Sequence, residues 1–303
     1  MYRWARTLVR GVYERLLERE ISGVPTHVAV IQDGNRRYAE KRGDDRTEGH
    51  RAGADTTERV LSWCADLGVE ELTLYAFSTE NFERPKAERE ALFDLIAEKL
   101  RTFADRPEIH ERGVRIRAIG ETRRLPERVR EAVAHAEART ADYDTFHLNV
   151  ALAYGGRAEL LGVAREIARE AAAGDCSPED VTVAAIEDRL TTRPTRAVDL
   201  IIRTGGAERT SNFLPWHANG NEAAVYFCAP YWPEFSRVDF LRAIRTYEAR
   251  RESWRRTRMK RAATLVRAVG DVDFDEATRI VGRARTSAES GGEEHPDRDP
   301  TAR

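Results

Sequence analysis

The stretch VAVIQDGNRRYAEKRGDDRTEGH, Val28 to His50, decides the reading of this 303-residue chain. Val28 to Ile31 is a continuous apolar run, the pattern of a parallel strand covered on both faces. It stops at Gln32-Asp33-Gly34-Asn35, with Arg36, Arg37 and Tyr38 next. Asp-Gly-Asn is a turn sequence that tolerates positive φ and leaves backbone N–H groups pointing outward. A carboxylate, open amides and two arginines at the carboxyl end of a strand make a site for an anion with a metal. That is also where open α/β sheets bind ligands. A surface turn beside a solvated charge run has the same composition, so the segment needs support from elsewhere.

Two more clusters supply it. Asp199 to Arg203 (DLIIR) is a second apolar strand, running into Thr204-Gly205-Gly206 and then Arg209, Thr210 and Ser211. Arginine forks match phosphate oxygens bidentately, and hydroxyls with free amides complete a cradle. The strand Glu71 to Tyr75 leads into AFSTENFER, which offers Ser78, Thr79, Glu80, Asn81, Phe82 and Arg84. Three polar clusters at three strand ends can converge on one crevice.

The wider pattern alternates β and α. Strands are expected at 28–32, 71–76, 114–119, 146–153, 199–203 and 223–228. Helices are expected at 37–42, 50–66, 87–104, 124–141, 157–173 and 180–190. This predicts an α/β fold, one domain with a mostly parallel central sheet of about six strands and helices on both faces. Asp175 to Pro178 and Thr191 to Arg196 read as loops, and Asp239 to Val269 as a long charged helix. The expected divisions are an amphipathic N-terminal helix in 1–23, a catalytic domain over 24–285 and a disordered polar tail over 286–303.

Composition narrows the function. Hydrophobic residues make up 41%, enough for one sizeable core, and net charge is −2 with 34% charged residues. That balance gives no basic field for nucleic acid. Cys64, Cys176 and Cys228 lie far apart, which argues against a zinc ribbon and a disulfide framework and for a reducing cytoplasm. No run of about 18 apolar residues suggests a membrane span. Residues 2–21 (YRWARTLVRGVYERLLEREI) place Trp4, Leu8, Val12, Leu16 and Leu17 at helical spacing among arginines. Such a helix either lies on anionic lipid or docks on its own protein.

The motifs carry a resemblance. Asp33-Gly34-Asn35, Gly49-His50 with Gly53, Tyr75 to Asn81, Tyr154 to Arg157 and Arg203 to Glu222 appear in the order found in the cis-prenyltransferases, the undecaprenyl diphosphate synthase family. The likeness spans about Thr26 to Trp254 and is strongest to archaeal members, which implies geranylgeranyl diphosphate as starter. It further implies Mg²⁺ held by Asp33 and Glu222, with Asp33 and Asn81 catalytic. An allylic diphosphate would lie on Gly34, Asn35, Arg36, Arg37, Tyr38 and Arg46 with His50 beside them. Isopentenyl diphosphate would lie on Arg203, Arg209, Thr210 and Ser211. Ser78, Thr79, Glu80, Phe82 and Arg84 would close over both. The resemblance implies a homodimer with an apolar tunnel for the growing chain and possible peripheral membrane contact. The stripe Leu92, Leu95, Ile96, Leu100 and Phe103 fits a tunnel wall or ordinary core packing equally well. His50 could position phosphate or take a proton, while a neutral amide at Asn81 suits orienting a water or relaying a proton.

Other readings are weaker. No GxGxxG follows the first strand and no GxxxxGK[ST] occurs, against a nucleotide-binding fold. Asp44-Asp45-Arg46-Thr47-Glu48 mimics the aspartate-rich helix of an all-helical trans-prenyltransferase, but it sits between Gly43 and Gly49 and reads as a loop. A non-catalytic prenyltransferase-like partner subunit would lose the metal carboxylate or the phosphate arginines, and Asp33, Arg37, Arg203, Arg209 and Glu222 are all present. Arg36 departs from the bacterial pattern, where glycine is usual, and would add bulk and charge beside the first diphosphate.

Overall fold

Each apolar run becomes a strand of one sheet. The computed structural model describes residues 2–190, 197–220 and 223–268. The strands are β1 (His27–Ile31), β2 (Glu71–Ser78), β3 (Val114–Ile119), β4 (Phe146–Tyr154), β5 (Leu200–Arg203) and β6 (Ala224–Phe227). They pair in the order β3-β4-β2-β1-β5-β6, every neighbour parallel. The chain therefore starts in the middle of the sheet and builds outward both ways. The ends of β2, β1 and β5 lie side by side, at the reversal where such sheets form a crevice.

The helices are α1 (Tyr2–Glu20), α2 (Asn35–Arg42), α3 (Arg46–Leu67), α4 (Lys86–Ala104), α5 (Pro107–Glu111), α6 (Glu127–Arg139), α7 (Gly156–Ala173), α8 (Val183–Glu187), α9 (Pro215–Gly220) and α10 (Arg237–Ala268). Contacts divide the chain into a unit of residues 1–247, holding the sheet, and a unit from Glu248 onward, whose described part continues α10.

The two faces of the sheet differ. Val28, Val30, Leu72, Leu74, Leu148, Val150, Leu200 and Ile202 join residues of α3, α4, α6 and α10 in the larger core. Leu92, Ile96 and Leu100 of the α4 stripe lie in it, Phe103 packs at its edge and Leu95 is buried as well. Alternate strand residues form a smaller core with Phe213 and Leu214. That face also buries a polar group. Asn149 Nδ2 donates to Glu71 Oε1 at 2.5 Å and to Thr73 Oγ1 at 3.2 Å, and His27 Nε2 shares a 2.8 Å hydrogen bond with Thr73.

Several boundaries differ from the sequence reading. The α3 helix starts at Arg46 rather than 50, because the Asp45 carboxylate accepts from Thr47 N–H at 2.8 Å and caps it. The expected helix over 180–190 contracts to α8, since Pro178 to Asp180 form a 3₁₀ turn tied to Ser177 and the Thr182 hydroxyl caps a new helix start. Pro126 delays α6 to Glu127. The short helices α5 and α9 had no periodic signal to announce them. The 191–196 loop and the 286–303 tail lie outside the described residues.

The buried polar group makes a testable demand. Replacing Asn149 by Ala removes the donor facing a buried carboxylate, a loss on the order of 1–3 kcal/mol. Asn149→Ala should lower the urea midpoint accordingly with the m-value unchanged; an unchanged midpoint would mean the group is not held by Asn149.

Candidate active site

Asp33 stands at the end of β1 with both carboxylate oxygens engaged. Arg37 Nη2, one turn along in α2, donates to Oδ1 at 2.9 Å, and Arg203 Nη2, from the last residue of β5, donates to Oδ2 at 2.8 Å. Arg37 also donates to the Gly205 carbonyl at 2.8 Å. The Thr204 hydroxyl donates to the Asp33 carbonyl at 2.7 Å and accepts from the Asp33 N–H at 3.1 Å. The two strand ends are thus sewn together on both sides of the aspartate. Partial burial pushes the Asp33 carboxyl up, but the hydrogen bonds and charges of Arg203 and Arg37 outweigh it and hold it below the usual carboxylate range.

Gly34 makes the turn possible. Its φ is 103°, and a Cβ there would sit 2.7 Å from the Tyr231 ring. Tyr231 in turn lies under Arg37, whose guanidinium carbon is 5.2 Å from the ring centroid. The neighbouring Trp232 donates its backbone N–H to the Asp33 carbonyl at 3.0 Å and its indole N–H to the Gly53 carbonyl at 2.7 Å. Asn35 leads into α2, and α3 passes so close that a Cβ at Gly49 or Gly53 would collide with it. This accounts for the spacing of the two glycines around His50.

Arg203 is only 3% exposed. It donates to the Arg209 carbonyl at 2.6 Å and to the Ser211 hydroxyl, while its buried Nε has no hydrogen-bond partner. The Arg209 side chain is exposed, and Thr210 and Ser211 are half-buried beside it. The segment is strained: Ser211, Asn212 and Leu214 all have positive φ. Asn212 holds it there. Its Oδ1 accepts from Arg157 N–H at 2.8 Å, its carbonyl from Gly156 N–H at 2.9 Å, and its Nδ2 donates to Glu80 at 3.4 Å. Asn212 was legible as part of a motif but not as the tie between this loop, α7 and the β2 end.

At the end of β2 a 3₁₀ turn, Thr79–Glu83, carries the third cluster. Asn81 Oδ1 accepts from Ser78 N–H at 3.1 Å, which fixes the orientation of its amide against the turn. The Glu80 carboxyl is raised by burial and lowered more by its own backbone N–H and by Ser78, Asn212 and Thr79, so it lies below its ordinary value. The Phe82 ring packs edge-on against Phe77 at 5.0 Å, with the Arg124 guanidinium 4.4 Å from its centroid. Tyr38 stacks under Arg42 at 5.3 Å.

The sequence reading missed Glu88, at the start of α4. Its carboxylate, 9% exposed, is the common counter-ion of this side of the crevice. Arg84 approaches it at 3.0 Å, Arg46 at 3.3 Å, Arg36 at 4.0 Å and His50 Nε2 at 3.9 Å. Four cationic or basic side chains therefore point at one carboxylate. His50 is nonetheless neutral: burial, then the charges of Arg84 and Arg36 against the opposing pull of Glu88, bring it down to about 4. Its Nε2 is buried without a hydrogen-bond partner. Arg84 is lowered, first by burial and then by Arg36. Glu222 lies outside the described residues.

His50 gives two measurable outcomes. The unfolded histidine takes its proton near pH 6.5 and the folded one near 4, so acid favours the unfolded chain across that window. The cost reaches about 3 kcal/mol at the lower end. His50→Gln should remove this contribution, so the stability difference between the two proteins should change with pH between 6.5 and 4 and be flat above. Glu88→Gln should move the His50 titration, followed by NMR, to still lower pH; an upward shift would contradict the pairing.

Comparisons with known proteins agree with this geometry. A family model described as putative undecaprenyl diphosphate synthase matches residues 31–255. The tritrans,polycis-undecaprenyl-diphosphate synthase (geranylgeranyl-diphosphate specific) of Halobacterium salinarum is 68% identical over 273 residues, 90% of each chain. The protein of the same name from Haloarcula marismortui is 61% identical over 95% of this chain and 94% of its own. The crystal structure of lavandulyl diphosphate synthase from Lavandula x intermedia, in complex with dimethylallyl diphosphate, superposes with a TM-score of 0.70 at 34% identity, covering 74% of this chain and 95% of that one. With the sheet order, the three strand-end clusters and a family match over most of its length, this chain belongs to the undecaprenyl diphosphate synthase family of cis-prenyltransferases.

Proposed function

We propose that this prenyltransferase extends geranylgeranyl diphosphate by repeated cis condensation with isopentenyl diphosphate, giving a polyprenyl diphosphate of about undecaprenyl length that serves as precursor of a glycosyl carrier lipid. The observation that carries the reading is the convergence of Asp33, Arg37, Arg203 and Ser211 at the joined ends of β1 and β5. The starter and product length rest on the names of the archaeal relatives. A non-catalytic partner subunit finds no support, because the described phosphate arginines and the aspartate stand together in one crevice.

Each cycle breaks the allylic C–O bond, and the diphosphate leaves with the electron pair. A bond forms from the terminal carbon of isopentenyl diphosphate to the freed allylic carbon, and C2 of isopentenyl diphosphate then loses a proton, which the departing diphosphate can accept. Arg37, Arg46, Arg36 and Arg84 would balance the charge growing on the leaving group, an electrostatic role that needs no rearrangement of solvent. Arg203, Arg209, Thr210 and Ser211 would hold isopentenyl diphosphate. Asn81, with its oxygen taken by Ser78, would orient the second substrate through its N–H groups. Neutral His50 can hydrogen-bond to a phosphate oxygen but brings no charge.

Asp33 suits Mg²⁺. It is a hard oxygen donor, partly exposed at the crevice, and magnesium asks for only one or two carboxylates beside water and phosphate. The ion would neutralise diphosphate charge. We propose Glu222 as its second carboxylate. The growing chain would enter the larger core along α4, and its rising lipid character favours a cytoplasmic enzyme in peripheral contact with a bilayer. A homodimer could use the exposed Leu161, Val181 and Val183 beside an apolar hollow of about 340 Å³ that Ile167, Ile186 and Trp216 help to line.

Purified protein with Mg²⁺, labelled isopentenyl diphosphate and starters of graded length tests the reading, with product chromatography as readout. Incorporation is expected, greatest with the C20 starter; none with any starter would overturn it. Folded Asp33→Ala should lose roughly 10²-fold or more in turnover, the scale of a lost preorganised group. Arg209→Ala, altering an exposed side chain, should raise KM for isopentenyl diphosphate alone, and Arg37→Ala should weaken the allylic starter. If Arg209→Ala acts only on the starter, the two cradles are reversed.

A further inference from the structure

The N-terminal helix has two dissimilar faces. On one, Leu17 is 4% exposed and docked against the protein. Glu18 pairs with Arg237 at 2.5 Å, Glu20 pairs with Arg245, and the Arg242 guanidinium lies 5.5 Å from the Tyr13 ring centroid. The acidic side chains Glu18 and Glu20 are thus consumed by the start of α10. On the other face Val12 is 49% and Leu16 50% exposed. Arg15 and Arg19 are exposed beside them and form no ion pair with a described residue. At about 100° per residue these four fall within an arc of about 100°. The sequence repeats the apolar spacing at Leu8 and Trp4.

We infer that Val12, Leu16, Arg15 and Arg19 form the face by which this protein lies on an anionic bilayer. An apolar row flanked by arginines, with the nearby Glu18 and Glu20 neutralised by arginines of α10, suits the boundary between acyl chains and anionic headgroups. A second copy of the chain suits it poorly. A twofold contact through this face would set the arginine rows against each other. Docking and lipid contact, opposed in the sequence reading, use different sides of one helix. The inference rests on the peripheral-membrane part of the proposed function, and its test does not depend on the starter or the product.

Flotation of the full-length protein with phosphatidylglycerol vesicles, against phosphatidylcholine vesicles, is the measurement. The protein should float with the anionic vesicles only, and Val12→Ser/Leu16→Ser should leave most of it at the bottom. Arg15→Gln/Arg19→Gln should bring the anionic result down to the phosphatidylcholine level. Both double variants alter exposed side chains, so their melting temperatures and their elongation of a short starter in detergent should match the parent. Leu17→Ala should instead lower the melting temperature. Undiminished flotation of Val12→Ser/Leu16→Ser, or none of the parent, would overturn the inference. A changed oligomeric mass for that variant would overturn it too, by making the face a contact between copies. Absent elongation with intact flotation would fault the enzymatic reading alone.

Discussion

The Asp33 carboxylate, shared between Arg37 and Arg203, is the contact on which the site depends. Arg203 is nearly buried, and a buried guanidinium without a partner is strongly destabilising. Asp33 supplies the charge while the Arg209 carbonyl and Ser211 take further N–H groups. The same carboxylate draws Arg37 across from α2, and Arg37 reaches on to the Gly205 carbonyl. One side chain therefore fixes the turn after β1 against the loop after β5. Glu88 repeats the arrangement on the other flank with Arg84, Arg46 and Arg36. Clustered cations repel one another, and these two carboxylates hold them in place. Diphosphate oxygens would then meet donors already oriented, and would compete with carboxylates for them.

The sheet order makes this possible. Because β1 lies between β2 and β5, the turn carrying Asp33 has a strand end on each side. The ends of β1, β2 and β5 carry the three polar clusters, and the segments after β6 and β4 brace them through Tyr231, Trp232 and Arg157. The apolar face under α3 and α4 lies next to the Arg84 and Glu88 flank, so a chain leaving that flank meets the larger core first. Phe82 and Phe77 stand at that border, edge to face.

The fold was largely legible because the strands were short bounded runs, apolar or alternating as in β3, set between longer helical patterns. What escaped were elements without period: α5 and α9 are too short for one, and the 3₁₀ turn Pro178–Asp180 with the Thr182 cap shortened an expected helix to Val183–Glu187. In the site, Asp33, Arg37, Arg203 and Ser211 were legible as strand-end residues and do meet. Glu88 was not, because one glutamate in a charged helix start looks like a solvated residue, and only tertiary contact brings Arg84, Arg46, Arg36 and His50 around it. Asn212 hid for another reason: its work is to hold strained backbone, which no composition pattern marks. The role of His50 could not be read either, since neutrality follows from burial and from arginines distant in sequence.

Arg36 shows how the two carboxylates set what the crevice tolerates. Where the bacterial pattern has glycine, this chain carries a half-exposed arginine that approaches Glu88. Left alone, it would push further on Arg84, whose affinity for its proton it already lowers. Its approach to Glu88 at 4.0 Å directs it to the counter-ion instead, and its exposure lets water screen the remainder. Arg36 thus enlarges the positive field on the Glu88 flank, where the proposed function would seat the allylic diphosphate, at small cost to the resting protein. A longer starter brings no more phosphate charge, so under the proposed reading that field would act on the diphosphate end and discrimination by length would fall to apolar residues such as those packed around Phe82. Charge and chain length would then be read by separate parts of the site, one built on carboxylate-held arginines and the other on the packing beneath α4.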